Sequence, residues 1–336
     1  MSTVFVFGAG ASHHAGYPLA AVMGEPLLNW MLQSSDFAFY ARYLVDGFGM
    51  PANIEEWITK IDSHHATLKG QRTSEERSEY RRLGTSIGRL KSGLAVWLRQ
   101  FRDGSAPSYA EFSDRIVQPG DAVVTFNYDD ALDCELRRTG KWDAFSYGYG
   151  FPIGVSEQAC EVVLLKLHGS VNWQWNPLGG RSGDGSVFAW NGPSLGNCPV
   201  ILPYDLKFLG YENPSGPGVY TGGAAINVLI LPGLSKEFFT DTSFGRETTE
   251  FWDSLWSQAT HALQSCSRVV VCGYSLPVAD QRARDLLFKH PSRDAGIEIV
   301  CGRDSDRIAG EFEERGFLNV TPFGGGLFAE WLADQG

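Results

Sequence analysis

Short runs of apolar residues recur along the chain, and several end abruptly in glycine or polar residues. The clearest are Thr3–Phe7, Ala122–Phe126, Val162–Leu167 and Val269–Cys272, with weaker runs at Val228–Leu231 and Ile297–Cys301. Apolar side chains at nearly every position, rather than at every second one, are typical of parallel strands covered on both faces. The runs therefore predict a mostly parallel sheet with helices on both faces.

Segments with helical spacing lie between these runs. Apolar residues three and four apart mark one helix in Glu75–Phe101 (Leu83, Ile87, Leu90, Leu94, Leu98) and another in Thr249–Cys266 (Trp252, Leu255, Trp256, Ala259, Ala262, Leu263). A further helix is expected over Val278–Lys289. Strands that alternate with helices predict an α/β fold.

Two stretches interrupt the alternation. Residues 26–119 contain no convincing strand, which predicts a helical insertion between the first two strands, forming a cap over the sheet edge. Residues 172–223 scatter tryptophans among many glycines and prolines, a pattern typical of long loops, here expected to form a lid with two short strands. With no internal repeat, we expect one domain over residues 1–336, elaborated by these two segments.

Charge and cysteine content exclude several classes of protein. The formal charge of −11 argues against direct binding to nucleic acid or to an anionic membrane surface. The six cysteines include no Cys-x-x-Cys pair, so neither a disulfide scaffold nor a paired-cysteine zinc module is expected. The adjacent histidines at 13–14 and 64–65 point in different directions on a helix or strand, so no metal site is predicted.

The expected location follows from the absence of targeting signals in the sequence. The first residues lack the basic and long apolar regions of a signal peptide, and no window reaches the roughly 18 apolar residues of a membrane span. We therefore expect a cytoplasmic protein without membrane contact.

A glycine-rich turn, Gly8-Ala9-Gly10-Ala11-Ser12, directly follows the first predicted strand. Small residues there allow the backbone to approach a diphosphate, and the amides at a helix start supply positive potential without lysine. The third glycine of the usual dinucleotide fingerprint would fall on His13. A turn that is glycine-rich only for packing therefore remains an alternative.

Polar motifs also follow three other strands. They are Thr125-Phe126-Asn127-Tyr128-Asp129-Asp130, His168-Gly169-Ser170 and Gly273-Tyr274-Ser275-Leu276. In open α/β sheets, ligands bind beyond the carboxyl ends of the strands, so these motifs are expected to meet at one edge. Taken singly, Asn127 is also a common turn former, Asp129 a common helix cap, and His168 a possible structural histidine.

The motif Gly273-Tyr274-Ser275-Leu276 also resembles a hydrolase nucleophile elbow, in which a strand is followed by Gly-x-Ser-x-Gly and then by a helix. Pro277 stands where that motif has its closing glycine, and the available partners Asp285 and His290 lie too close together on the following helix. A backbone turn that contacts phosphate or ribose fits these residues better.

Taken together and in order, the four motifs, with Ala15-Gly16-Tyr17-Pro18 after the first, resemble the sirtuin superfamily. More narrowly, they resemble the bacterial sirtuin-like domains of antiphage defence proteins. The resemblance implies a Rossmann-like sheet that binds NAD⁺ in a cleft between the sheet and a smaller cap. Sirtuin deacylases carry four zinc cysteines that this chain lacks, and their Asp-Phe-Arg stretch is replaced by Leu19-Ala20-Ala21. Cys301 stands where many relatives place an asparagine near the adenosine ribose.

The resemblance also implies roles for individual residues. Asn127 would position water and ribose, His168 would act as general base, and Asp129 would hold the nicotinamide carboxamide. The implied cofactor-binding residues are Gly8, Ala9, Gly10, Ala11, Ser12, Tyr17, Pro18, Thr125, Gly169, Gly273, Ser275 and Leu276.

The implied activity is that of an NAD⁺ glycohydrolase, with NAD⁺ as substrate and no metal, releasing nicotinamide and ADP-ribose or its cyclic isomer. Such an enzyme would deplete NAD⁺ in abortive infection, and would stay inactive until a homo-oligomer or a separately encoded protein activates it. Two alternatives remain: a non-catalytic NAD⁺ or ADP-ribose sensor that regulates a partner, and a protein deacylase without zinc.

Overall fold

The computed structural model describes residues 2–70, 73–101, 106–151, 160–175, 200–201, 226–232, 246–324 and 326–335. Its strands are β1 Thr3–Phe7, β2 Ala122–Thr125, β3 Val163–Lys166, β4 Gly169–Trp175, β5 Val200–Ile201, β6 Ile226–Leu229, β7 Arg268–Cys272, β8 Gly296–Val300 and β9 Asn319–Pro322. Six of them form a parallel sheet in the order β3-β2-β1-β7-β8-β9. The predicted α/β fold with a mostly parallel, Rossmann-like sheet is confirmed.

Helices pack around this sheet. They are α1 Ala9–Ser12, α2 Ala20–Gln33, α3 Ala38–Phe48, α4 Ile54–Thr67, α5 Ser74–Arg99, α6 Pro107–Glu111, α7 Ala131–Arg138, α8 Arg246–Ser265, α9 Gln281–Lys289, α10 Ser305–Glu313 and α11 Phe328–Asp334. The two long predicted helices are confirmed as α5 and α8. The third begins later than predicted, at Gln281, because Asp280 caps its first turn. No helix in the described ranges is both long and apolar enough to cross a bilayer.

The strand order reverses direction at β1. The chain builds outward from β1 through β2 to β3 on one side, and from β7 through β8 to β9 on the other. Because all six strands are parallel, their carboxyl ends share one edge, and a crevice opens where the order reverses. The loop that follows β1 and the loop that follows β7 are therefore neighbours at this crevice.

A second, antiparallel sheet corrects one expectation. The run Val228–Leu231 was expected among the parallel strands, but β6 pairs antiparallel with β4, in a small sheet of order β5-β4-β6. Only two residues, Leu167 and His168, separate β3 from β4. A parallel neighbour needs a crossover of a dozen or more residues, so the chain leaves the main sheet at this point.

Among its described residues, the insertion between β1 and β2 consists of helices joined by turns and contains no strand, as its pattern predicts. Its first long helix begins at Ala20 rather than at Pro26, which lies inside α2. Helix α5 packs against β4 and β6, so the insertion contacts the small sheet. Of the expected lid, 172–175 belong to β4 and 200–201 to β5, while 176–199 and 202–223 lie outside the described residues. The assignment of cap and lid as units of a single domain stays a prediction.

One carboxyl group is buried inside this helical insertion. Asp62 on α4 is only 5% exposed, and burial raises the pKa of its side chain to about 6, against a smaller opposing effect of Lys91. The folded chain therefore binds this proton more tightly than the unfolded chain between about pH 4 and pH 6, and stability falls as the pH rises through that window.

We predict that Asp62→Asn stabilises the protein above pH 6. A pKa difference of about two between the folded and unfolded chains is worth about 3 kcal/mol, which sets the upper limit of the gain. Urea unfolding at pH 4 and pH 8 measures it: the gain should be near zero at pH 4 and full at pH 8. The exposed Asp46→Asn on α3 serves as the matched control. A gain that is equal at both pH values would contradict the prediction.

Candidate active site

A cavity of about 880 Å³ opens at the carboxyl ends of the central strands. Its size lies within the usual range of small-molecule sites, about 300–1,000 Å³. Ten predicted site residues line it: Ala9, Gly10, Ser12, Tyr17, Pro18, Asn127, Asp129, His168, Gly273 and Ser275. Most of the remaining wall comes from the start of α2, the first turn of α4 and the loops that follow β8 and β9.

The loops after β1 and β7 touch backbone to backbone. The Gly8 amide donates to the Cys272 carbonyl at 3.0 Å, and the Gly10 amide donates to the Gly273 carbonyl at 2.9 Å. A Cβ on Gly8 would lie 2.6 Å from the Cα of Tyr274. These two amides are therefore already used within the protein, and the binding of a diphosphate at this loop stays a prediction.

Five predicted residues do not line the cavity: Gly8, Ala11, Thr125, Gly169 and Leu276. Contacts within the protein account for several of them. The Thr125 hydroxyl accepts a hydrogen bond from the backbone N–H of Asn127 at 3.1 Å. Gly169 has a φ of +83°, and a Cβ there would lie 1.9 Å from the Val228 carbonyl oxygen, so its lack of a side chain lets β4 approach β6. Leu276 is buried.

The amide of Asn127 has one fixed orientation. Its Nδ2 donates to the Gly8 carbonyl and to Ser12 Oγ, both at 2.9 Å. Rotating the amide by 180° would bring Oδ1 against the Gly8 carbonyl, and two acceptors repel each other. Because both amide protons are used, Oδ1 is the atom left to accept a hydrogen bond from water or from a ligand hydroxyl.

Asp129 lies beside this amide, in the same hydrogen-bond network. Its Oδ2 accepts from Ser12 Oγ at 2.8 Å, and the Ser12 hydroxyl also meets the Tyr109 hydroxyl at 2.8 Å. Burial raises the pKa of Asp129 to about 6, against an opposing effect of Lys166. Above that pH the side chain is a carboxylate, which accepts hydrogen bonds only.

A buried ion pair supports the loop that carries these groups. Lys166, at the end of β3, lies 3.0 Å from Asp133 on α7, and both side chains are 1% exposed. The same ammonium donates to the Asp129 carbonyl oxygen, and Tyr149 donates its hydroxyl proton to Asp133. Removing one member would leave a buried charge unpaired, which typically costs about 3–5 kcal/mol.

His168 also lines the cavity and directly follows β3, the neighbour of β2 in the sheet. Its ring centroid lies 5.0 Å from that of Phe126, which in turn stacks on Tyr274 at 4.3 Å. The His168 carbonyl accepts from the Ile230 amide at 2.8 Å, which fixes the backbone against the small sheet. Its Nε2 lies 3.3 Å from Oδ2 of Asp280, a residue outside the predicted set.

Apart from Cys301, the far end of the cavity was not predicted from the sequence. It is formed by residues 301–306 and by Glu330 on α11. Cys301 lines it, and burial raises the pKa of its thiol to about 11, so it is a neutral thiol at physiological pH. The Cys301 amide donates to Ser305 Oγ at 2.9 Å. For the residues after Cys301, the signal in the sequence was the Asp304-Ser305-Asp306 start of α10, which is also an ordinary helix start.

Within the described ranges, no group of three or more His, Cys, Asp or Glu side chains is arranged to hold a metal ion. No family model and no curated protein matches the chain. Among solved structures, it is similar to one titled "Structural Basis for the Mechanism and Regulation of Sir2 Enzymes". The two share 15% identity over 89% of this chain and 79% of that one, with a TM-score of 0.35.

We predict that Gly273→Ala disrupts the contact between the two loops. Gly273 has a φ of +61°, and a Cβ there would lie 2.2 Å from the Ala11 amide nitrogen. The free energy of unfolding should fall by at least about 2 kcal/mol in urea titration. As the control, Gly47→Ala on α3 meets no atom within 4 Å and should raise it by about 0.5–1 kcal/mol. Equal unfolding midpoints for Gly273→Ala and the unmodified protein would contradict this account.

Proposed function

We propose that the chain hydrolyses NAD⁺ at the N-glycosidic bond of nicotinamide. The observation that carries the proposal is the convergence of Asn127, Asp129 and His168 on one cavity at the reversal of strand order. An acceptor amide, a carboxylate and an imidazole, drawn from β2 and β3, are the groups that the reaction needs at the nicotinamide ribose.

The cavity also has the polarity that NAD⁺ requires along its length. The end near Asn127 and His168 is deeply buried and would hold the nicotinamide ribose. The opposite end, around residues 302–306, offers hydroxyl, carboxylate and guanidinium groups for the adenosine half. The two glycine loops follow β1 and β7, which lie between β2 and β8 in the sheet, and their small residues would leave room for the diphosphate.

The reaction needs little acid catalysis, because the leaving nicotinamide is a pyridinium cation. The C1′–N bond breaks, its electron pair neutralises the ring nitrogen, and positive charge develops on the ribose. A water oxygen then bonds to C1′ while its proton passes to His168, since imidazole accepts protons near neutral pH. Oδ1 of Asn127 would orient that water or a ribose hydroxyl. Asp129 would accept the carboxamide N–H.

We also propose a role in defence against phage, which rests on the motif resemblance alone. An enzyme that consumes NAD⁺ without a second substrate harms its own cell, so we propose that activity is released by assembly of the chain or by a separately encoded protein. The helical insertion, which supplies part of the cavity wall through α4, is the surface on which such control would act.

We predict that purified protein releases nicotinamide from NAD⁺, and that Asn127→Ala and His168→Ala each lower the rate about 10²-fold or more, a typical effect for a positioned catalytic group. Chromatography of nicotinamide and ADP-ribose measures it, with the assembled protein and its neighbouring gene product present. His261→Ala, on the exposed face of α8, is the matched control. Equal turnover by the unmodified protein and all three variants would overturn the proposal. Tight binding of NAD⁺ without turnover would favour the non-catalytic sensor.

In cells, we predict that NAD⁺ falls after phage infection when the unmodified chain and its activating partner are present, and stays level with Asn127→Ala. Extracts taken through one infection cycle and assayed for NAD⁺ and ADP-ribose measure the effect. If NAD⁺ follows the same course in both strains, the defence role fails, even where the purified enzyme is active.

A further inference from the structure

Asp280 is a buried carboxyl group in direct reach of His168. It lies between the loop that follows β7 and the first turn of α9, and it is 1% exposed. Its Oδ2 lies 3.3 Å from Nε2 of His168, at the long end of hydrogen-bonding distances. Catalytic hydrogen bonds are often this long before substrate is bound.

Both carboxyl oxygens of Asp280 are used. Oδ1 accepts from the Ala283 amide at 3.4 Å and so caps helix α9. Oδ2 accepts from the Tyr274 hydroxyl at 2.7 Å, on the same oxygen that faces His168. Helix capping needs only one of these oxygens, so the arrangement on Oδ2 is not explained by the cap.

The hydrogen bonds around Asp280 are those of a carboxylate, since both of its oxygens accept. The amino end of α9 carries positive potential, which stabilises a carboxylate at the cap position. Burial, together with the charge of Asp280, raises the pKa of Tyr274 well above its usual value, so its hydroxyl keeps its proton and donates it. An ionised carboxylate has no proton to give, so the proton between Asp280 and His168 belongs to the imidazole.

We infer that Asp280 is a positioning residue that holds His168 as its Nε2–H tautomer and leaves Nδ1 as the proton acceptor. The inference rests on the proposed function, since it states which ring nitrogen serves the hydrolysis of NAD⁺. It gives His168 the same kind of support that the aspartate gives to histidine in a Ser-His-Asp triad. As proton transfer makes the ring cationic, the carboxylate also stabilises that charge.

Asp280→Asn tests the inference with little change in shape. Asparagine is a good helix cap, so its oxygen can keep the bond to Ala283. Its amide nitrogen then faces His168 as a donor, which forces Nε2 to accept and moves the ring proton to Nδ1. We expect kcat to fall about 10³–10⁴-fold, the size of effect that a wrong tautomer produces in a triad, with KM changed less than about threefold.

A second measurement is independent of activity. The ¹⁵N spectrum of the imidazoles, with the His168 signals identified by their absence in His168→Gln, reports the tautomer directly. We expect Nε2–H in the unmodified protein and Nδ1–H in Asp280→Asn. Asp285→Asn, a partly exposed change on the same helix, is the matched control and should alter neither measurement.

The outcomes separate the two hypotheses. An Nδ1–H tautomer in the unmodified protein overturns the inference, and so does a switched tautomer with unchanged kcat. A rise in KM that accounts for the whole loss of kcat/KM assigns Asp280 to binding and also overturns it. If the tautomers are as expected but no protein releases nicotinamide, the proposed function fails and the assignment of the tautomer stands.

Discussion

The contact between the loops after β1 and β7 is the constraint on which the rest of the site depends. A side chain at Gly8 or Gly273 would collide with backbone atoms of the opposite loop, so these two strands can lie side by side only with glycine at both places. Their adjacency puts the reversal of strand order, and hence the crevice, at the middle of the sheet. The Gly8 carbonyl, held by this contact, is also the acceptor that fixes the Asn127 amide.

The two ends of the cavity differ in their exposure to water and in the elements that form them. At one end, Asn127, Asp129 and His168 are nearly inaccessible to water, and each is held by groups that are themselves buried. Such groups lose little entropy when a ligand arrives, and the electrostatic effects there are stronger than in water. At the other end, the wall consists of a helix start and loop residues around 302–306. Under the proposed function, orientation for chemistry and recognition of the adenosine half would thus be separated in space.

Much of this architecture follows from the sequence because its signals are local. Apolar runs mark buried strands, and the polar residues that follow them must meet at one edge. Residues whose role depends on distant contacts were harder to assign: Gly169 serves the approach of β4 to β6, and Gly10 uses its amide within the protein. Asp280 looks in sequence like any helix cap, and only the fold brings it beside a histidine 112 residues away. The edge strand β9 has no continuous apolar run to mark it, because half of its positions are exposed.

The placement of β1 at the centre of the sheet has a consequence for folding during synthesis. Val4 must pair with Ala122 on one side and with Val269 on the other, so the closure of the sheet joins segments made far apart in time. Such non-local pairings form late, and synthesis proceeds at about 5–20 residues per second. A nascent chain that has not yet reached residue 272 lacks the strand β7 beside β1, and so has no closed cavity in which the proposed reaction could take place.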